Sequence, residues 1–278
     1  MSGYAELHCI TNFTFLRGAS HPHELVLRAK ELGYTALAIT DECSMAGVVR
    51  AYVAAKEVGL KLIVGSEFRT SDGLHLVLLA PTQRAYAQIC AVITAARIDS
   101  PKGEYLLSRA SFETDLSECL VLWIPGREIR TSQAGWVRER FPHRCWIAVE
   151  LHRLPDDAQR LERLRQCGDS LGIPLVAAGD VHMHVRERRA LQDTVTSIRH
   201  GCTIEQAGHR LFPNGERHLR KYEELRAIYP RELLEESTRI AEHCEFSLKN
   251  LKYRYPRELV PANCSATQHL RNLTEEGI

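Results

Sequence analysis

The chain has 278 residues, which is enough for one large α/β barrel or two small domains. Its 44% hydrophobic and 26% charged residues are typical of a soluble globular protein. The formal net charge of +1 excludes a strongly basic chain, so any binding of nucleic acid would have to be local.

The pattern of the nine cysteines argues against a fold held together by disulfide bonds or by zinc. Their number is odd and none forms a C-x-x-C pair, which disfavours a disulfide framework and a zinc finger. We expect buried thiols in a reducing compartment. The first residues, MSGYAELHCI, lack the features of a signal peptide, and the apolar runs are far shorter than the roughly 20 residues of a membrane span. The sequence therefore predicts a cytoplasmic protein.

Short apolar runs alternate with helical patterns along most of the chain. The predicted strands are Tyr4–Ile10, Thr35–Thr40, Lys61–Val64, Leu74–Ala80, Leu120–Trp123, Cys145–Glu150 and Pro174–Ala178. The predicted helices begin at a Ser20 cap and stop at Gly33, then cover Ala46–Val58, Thr82 to Arg97, Gln133–Arg140, Asp156–Leu171 and Arg186–His200. Residues 98–118 are predicted to form an irregular surface connection.

Strands separated by helical patterns indicate βαβ units and a parallel sheet. Seven such strands favour closure into a distorted α/β barrel of the (β/α)7, TIM-like type. An open doubly wound sheet is the alternative. No GxGxxG or Walker loop begins any helix, so a nucleotide-binding sheet would lack its signature.

The pattern changes after Gly201. Residues 209–220 are predicted to be loop, residues 223–243 form a charged helix, and Ser265 with Gln268 predicts a capping box for a last helix. This part has too few strands for a sheet of its own, so we expect a C-terminal helical extension.

Imidazoles and carboxylates cluster near the predicted strand ends, where β/α barrels place their active sites. They are His8, Asp41, Glu42, Glu67, His75, Glu150, His152, Asp180 and His182. Each alone is more often a cap or a loop partner, but the set is what a site for divalent metals requires. Two ions about 3.5–4 Å apart could hold a phosphate and generate hydroxide.

Several segments resemble, in order, the motifs of the PHP (polymerase and histidinol phosphatase) domain. They read YAELHCITNFTFLRGAS, LGYTALAITDECSMAGV, GLKLIVGSEF, LHLVLLAPT and IPLVAAGDVHMHVRERRALQD. The later segments RLFPNGERHLRKYEEL and ESTRIAEHCEFSLKNLKYRYP resemble the connection from PHP to palm in bacterial C-family DNA polymerases. The residues in these segments are most similar to those of the error-prone, damage-inducible (ImuC-type) branch of these polymerases.

The resemblance implies a PHP barrel at 1–205, a helical extension packed on it at 206–250, and the start of the connection to the palm at 251–278. It implies an enzyme, a DNA-directed DNA polymerase acting with Mg²⁺ in translesion synthesis and damage-induced mutagenesis. Its partners would be DNA and dNTPs, bound outside this chain, a sliding clamp and accessory mutagenesis proteins. No membrane partner and no catalytic residue of the polymerase are expected within these residues.

The chain departs from the metal-binding pattern of that family. Ile10 stands where a second histidine is expected, Arg17 where an aspartate is expected, and Glu42 where a histidine is expected, while the run LWIPG lacks a cysteine ligand. Isoleucine donates no lone pair and arginine repels a cation. The matching positions that survive are His8, Glu67, His75, Asp180 and His182. We therefore expect a vestigial site with no metal, or with one weakly bound divalent cation.

Arg17 suggests how such a site could be stabilised without metal. Buried carboxylates need a positive partner, so we expect Arg17 to occupy the position of a lost ion and to pair with Glu42 or Asp180. Substitution Arg17→Asp should then destabilise the fold.

Two other functions stay open from the sequence. The surviving ligands would suit a metal-dependent phosphoesterase or a 3′–5′ proofreading nuclease. The charged helix at 223–243 would suit a pure interaction module.

Overall fold

The computed structural model describes residues 3–252, 260–261 and 263–277. Its strands are β1 Ala5–Glu6, β2 Ala36–Ile39, β3 Lys61–Arg69, β4 His75–Leu79, β5 Leu120–Trp123, β6 Cys145–Glu150 and β7 Leu175–Ala178. The predicted bounds of β5 and β6 are confirmed. Strand β3 extends five residues beyond its predicted end at Val64, to Arg69.

The strands form one curled sheet in sequential order. The outer strands continue towards each other beyond their regular bounds, where Ile10 N–H donates to the Val181 carbonyl and Val181 N–H donates to the His8 carbonyl, each at 2.9 Å. These bonds join the two ends of the sheet. The fold is therefore a distorted seven-stranded TIM-like barrel, as predicted.

The expectation of an entirely parallel sheet was wrong for one strand. β4 runs antiparallel to both β3 and β5. Residues 70–74 alone connect β3 to β4, and a parallel crossover needs a dozen or more residues. The remaining neighbouring pairs are parallel.

The α-helices alternate with the strands and then continue alone. They are α1 Pro22–Glu31, α2 Val48–Val58, α3 Gln83–Ile98, α4 Thr131–Arg140, α5 Asp157–Leu171, α6 Arg189–Arg199, α7 Ile204–Ala207, α8 Tyr222–Arg226, α9 Arg231–His243 and α10 Ala266–Glu276. Short 3₁₀ turns lie at Arg109–Phe112, Arg186–Arg188, Gly208–Arg210 and Leu248–Asn250. No helix among the described residues is both long and apolar enough to span a bilayer.

One predicted helix cap and one predicted continuous helix need correction. His21, not Ser20, is the N-cap residue of α1. The Ser20 hydroxyl instead lies 2.8 Å from Nδ1 of His184 and accepts the backbone N–H of that residue. The single helix predicted at 223–243 is divided into α8 and α9, because Pro230 cannot donate the backbone hydrogen bond that a continuous helix needs.

The interior of the barrel is apolar below its carboxyl rim. Side chains at alternate strand positions form this cluster, among them Ala38, Ile63, Val77 and Val176. Helix α9 adds Ile240 to it and lies across the amino ends of the strands. There Ser237 Oγ accepts the N–H of Ala5, and Trp146 Nε1 donates to Glu236. The apolar face of α9 is thus covered by its own barrel, which disfavours an unattached interaction helix.

The chain divides into two compact units at Leu248 and Lys249. In the second unit, α10 is capped by the Ser265 hydroxyl, which accepts the N–H of Gln268 at 3.1 Å. Residues 253–259 of the expected connection to a palm domain lie outside the described residues. The domain bounds at 205 and 250 stay predictions. All nine cysteines are free thiols.

Candidate functional site

The strand pattern explains why polar side chains meet at the rim. Glu67, Glu150 and Asp180 continue, at two-residue spacing, the interior positions of β3, β6 and β7. His75 begins β4, yet it reaches the same rim because β4 runs in the opposite direction and pairs with Arg69 at the end of β3. The cup is defined here as His8, Arg17, Glu42, Glu67, Arg69, His75, Glu150, Asp180, His182 and Arg217.

Glu67 lies at the centre of the cup and is fully buried. Arg17 donates to both of its carboxylate oxygens, at 2.9 and 3.3 Å, and Arg69 Nε donates at 2.8 Å. The ring nitrogens of His8 and His75 lie 3.1 and 3.0 Å away. Although burial raises the pKa of Glu67, the surrounding positive groups outweigh it and hold that pKa well below its usual range. Glu67 is therefore a carboxylate at neutral pH.

Arg17 neutralises a second carboxylate as well. A parallel bridge places Glu42 beside Glu67, and the Arg17 guanidinium pairs with both. Tyr105 donates its hydroxyl hydrogen to Glu42 at 2.6 Å. The loop that carries Arg17 turns tightly at Gly18, where any side chain would collide with the Thr11 carbonyl. The predicted pair with Glu42 is confirmed, while the pair with Asp180 is not made by Arg17.

His8 connects the two sides of the cup. Its Nε2 faces Glu67, and its Nδ1 lies 2.7 Å from Glu150 and 3.9 Å from Asp180. Burial by itself would lower the pKa of His8, but Glu150 and Glu67 outweigh it and raise that pKa to about 9. In this arrangement His8 is therefore an imidazolium at neutral pH, with one ring nitrogen facing each carboxylate.

Asp180 is held by groups on both sides. It has a positive φ of 44°, a conformation that aspartate tolerates better than most residues. Its Oδ1 lies 3.0 Å from His182 Nε2, and its Oδ2 pairs with Arg217. The guanidinium of Arg217 also stacks on the Phe212 ring, 4.2 Å from its centroid. Burial and the nearby Arg17 lower the pKa of His182 to about 3, so that ring is neutral.

Three residues of the predicted site have other surroundings. The Asp41 carboxylate accepts hydrogen bonds from the backbone and hydroxyl of Thr11 and from the hydroxyl of Thr14, and burial raises its pKa. His152 lies against the Gly179 carbonyl at 3.1 Å, and burial holds its pKa well below the usual range. Ile10 is completely buried. None of the three makes an ion pair with the cup in the described part of the chain.

Two guanidiniums of the cup were missed in the sequence. Arg69 could have been found by extending the alternation of β3 from Ile63 through Glu67. Arg217 lies in the irregular segment after α7, and no local pattern indicates that this segment folds over the rim. Both add positive charge at the rim.

Three residues of the cup bring together atoms that could bind a metal ion. Ligand atoms of His8, Glu67 and His75 lie within 4.8 Å of one another and could hold a single ion. Both Glu67 oxygens are already bound by guanidinium groups, whose positive charge lies where further ions would have to sit. These residues therefore do not fit a cluster of several ions.

Comparison with known proteins finds a family match over the first part of the chain and similar proteins over nearly all of it. The PHP domain model matches residues 6–123. A protein of Methylococcus capsulatus named error-prone DNA polymerase is 55% identical over 276 residues, which are 99% of this chain and 26% of that protein. A Pseudomonas aeruginosa protein of the same name is 54% identical over 278 residues, 100% of this chain and 27% of that protein. The chain thus spans about a quarter of the length of these relatives.

One solved structure with a similar trace is a Bifidobacterium adolescentis protein assigned as a metal-dependent phosphoesterase. It is 17% identical, with a TM-score of 0.46, over 83% of this chain and 97% of that one. The family match over residues 6–123 is a comparison of sequence, not of structure. The same holds for the identity to the named relatives over nearly the whole chain. Residues 6–123 therefore match the PHP-domain family, and nearly the whole chain is similar in sequence to proteins that carry the name error-prone DNA polymerase.

Proposed function

We propose that this chain is the PHP portion of an error-prone DNA polymerase that acts in damage-induced mutagenesis and translesion synthesis. The identity to the Methylococcus and Pseudomonas proteins supports the polymerase assignment. Nucleotidyl transfer with Mg²⁺, and the binding of DNA and dNTPs, would use parts of the protein outside this chain. A sliding clamp and accessory mutagenesis proteins would be partners of the whole protein, in the cytoplasm.

We further propose that the cup is a degenerate site with a structural role and no phosphoesterase activity. The observation that carries this proposal is the pairing of Glu67 with Arg17 and Arg69 in place of a metal. In formal charge, the four carboxylates of Glu42, Glu67, Glu150 and Asp180 balance three guanidiniums and protonated His8.

This balance opposes a metal cluster for a physical reason. A divalent cation would add two charges to a buried group that is already neutral. It would also have to displace guanidiniums that are hydrogen-bonded to the same carboxylate oxygens. The ion pairs that Arg17 makes with Glu42 and Glu67 would be lost in that exchange.

One observation favours the alternative, a metal-dependent phosphoesterase or 3′–5′ nuclease. His8, Glu67 and His75 could gather around one ion if it displaced the guanidiniums. With such an ion bound, metal chemistry could activate water for phosphoester hydrolysis.

An activity assay separates the two functions. The purified chain is incubated with Mn²⁺ and either a labelled single-stranded oligonucleotide or a chromogenic phosphomonoester. We expect no turnover above the buffer, and no difference for Asp180→Ala. Turnover that is lost in Asp180→Ala, yet kept in Glu128→Ala, where the carboxylate is 80% exposed, would support the alternative.

A further inference from the structure

Helix α6 presents its apolar side chains to the solvent instead of to the barrel. Leu191, Val195 and Ile198, defined here as the α6 stripe, lie on one face because their spacing follows the helical repeat. Leu191 and Ile198 are exposed, and Val195 is partly exposed. A helix on the surface of a globular protein normally has the opposite orientation. The buried residues of this helix are instead polar: Gln192, Thr196 and Ser197.

The inward face of α6 contacts the loop that carries Arg17. Gln192 Nε2 donates to the Arg17 carbonyl at 2.8 Å. His182 Nδ1 lies 3.2 Å from the same carbonyl oxygen. Rotation of the helix to bury the α6 stripe would break the contact of Gln192 with this loop. The stripe therefore stays exposed while the loop is held in place.

The exposed apolar surface continues from α6 into α7, which packs directly against it. Ile198 is 59% exposed, and Ile204, the first residue of α7, is 46% exposed. Single exposed apolar residues are common, but a group of them on one side of a protein marks a contact with another molecule. The α6 stripe and Ile204 together form such a group.

The charges around the stripe balance one another. Arginines at the start of the helix are neutralised within the chain, by the pairs Arg186 with Glu216, Arg188 with Glu24 and Arg189 with Asp193. In the part of the chain that the structure describes, four charged residues of this region form no ion pair: Glu187, Arg199, Glu205 and Arg210. Two are negative and two are positive, so the surface suits neither a strongly acidic nor a strongly basic partner.

The order of the charges along the helix suits a second copy of the same chain. Glu187 precedes the α6 stripe and Arg199 directly follows it. The pair Glu187 and Arg199 has the same midpoint in the sequence as the pair Leu191 and Val195. Two antiparallel α6 helices related by a two-fold axis at that midpoint therefore place Leu191 level with Val195 of the second copy, and Glu187 level with its Arg199. One register satisfies the apolar and the ionic contacts together.

We propose that the α6 stripe is a self-association surface, through which two copies of this chain form an antiparallel dimer with two-fold symmetry. Burial of the apolar side chains drives the association, and the two Glu187–Arg199 pairs determine its direction. The contact surface is small, so the dissociation constant should be on the order of 100 µM. The dimer uses the outer face of the barrel and depends neither on the chemistry of the cup nor on the polymerase assignment.

Sedimentation equilibrium of the chain over a range of concentrations tests the proposal. We expect a reversible equilibrium between monomer and dimer in the wild type. Ile198→Glu, which places a charge in the α6 stripe, should weaken the dimer at least about tenfold. The matched control is Ile98→Glu at the end of α3, where the side chain is 73% exposed, and this variant should associate as the wild type does. Thermal unfolding of each variant verifies that it is folded.

Charge reversal tests the direction of the dimer independently of its apolar contacts. Glu187→Arg and Arg199→Glu each place like charges opposite one another across the two-fold axis, so each should weaken the dimer about tenfold. The double variant restores opposite charges and should regain most of the wild-type affinity. Such a rescue identifies a direct contact between the two positions, because a loss of folding in the single variants would not be repaired by a second substitution.

Three results would overturn the proposal. The first is a wild type that stays monomeric up to about 1 mM, which would leave the α6 stripe to a different partner. The second is a dimer that Ile198→Glu leaves intact, which would show that association uses another face. The third is a double charge reversal that dimerises no better than the single variants, which would exclude the antiparallel register.

Discussion

At the scale of single residues, the cup depends on Glu67. A fully buried carboxylate is costly unless positive groups and hydrogen bonds compensate for it. In this chain Arg17 and Arg69 provide that compensation, and Arg17 does so for Glu42 as well. The guanidinium thus carries out the electrostatic task that a bound cation would perform in a metal site.

Substitution Arg17→Asp should therefore destabilise the protein strongly. It removes a mostly buried cation and adds a third carboxylate next to Glu42 and Glu67. We expect a loss of about 3–5 kcal/mol in the free energy of unfolding, measured by urea denaturation. The control Arg226→Asp, at an exposed position of α8, should change it by about 0.5 kcal/mol or less. Equal stability of the wild type and Arg17→Asp would show that Arg17 is dispensable.

Stability should also decrease in alkaline solution because of His8. Its pKa is raised from 6.5 to about 9, so its contribution is complete below pH 6.5 and is lost as the pH rises through about 9. The size of that contribution is on the order of 3 kcal/mol, at about 1.4 kcal/mol for each pKa unit. The pKa of Glu150 is lowered, so this residue affects stability in acid. Its contribution to the free energy of unfolding is complete above pH 4.5 and is lost as the pH falls below that value.

Urea denaturation between pH 6.5 and 9.5 measures the His8 effect. The wild type should lose stability across this interval, while His8→Gln, which has no titrating ring, should show a smaller loss. Parallel pH profiles for the two proteins would mean that His8 is not protonated in the native state.

Local sequence patterns could predict part of the site and not the rest. The position of Arg17 before Gly18 and its departure from the family pattern were enough to predict a pair with Glu42 or Asp180, and the structure shows the pair with Glu42. They could not predict Arg217, because its contact with Asp180 depends on how an irregular segment folds back over the rim. Nor could they separate Asp41 from Glu42, whose side chains point to different partners although the residues are adjacent.

At the scale of elements, the direction of β4 determines where His75 lies. In a parallel strand, a residue at the first position would lie at the amino end of the barrel, remote from the cup. The five residues between β3 and β4 are too few for a crossover, so the strand returns antiparallel and brings His75 to Glu67. The apolar patterns predict that the strands exist, whereas strand direction follows from the length of the connections.

Helix α9 should be essential to the stability of the barrel. Its Ile240 side chain is 1% exposed and belongs to the interior cluster. Replacing it with alanine should cost about 2–5 kcal/mol, because a cavity remains in a packed interior. Leu270→Ala on α10, where the side chain is 65% exposed, should have little effect in the same thermal or urea denaturation. Similar losses for both variants would contradict the packing described for α9.

At the scale of the whole molecule, seven strands close into a barrel whose rim carries its own positive groups. The cup is neutralised by the chain's own guanidiniums and His8. An enzyme that relies on metal must leave its carboxylates free for ions. Here they are paired with positive groups of the same chain, which supports the structural role proposed for the cup.

The metal content of the chain, purified without chelators and dialysed against Mn²⁺ or Zn²⁺, tests this view most directly. Elemental analysis per mole of protein gives the stoichiometry. Internal neutralisation predicts well below one equivalent, or at most one ion that exchanges readily, held near His8, Glu67 and His75. Two or more tightly bound ions per chain would contradict it.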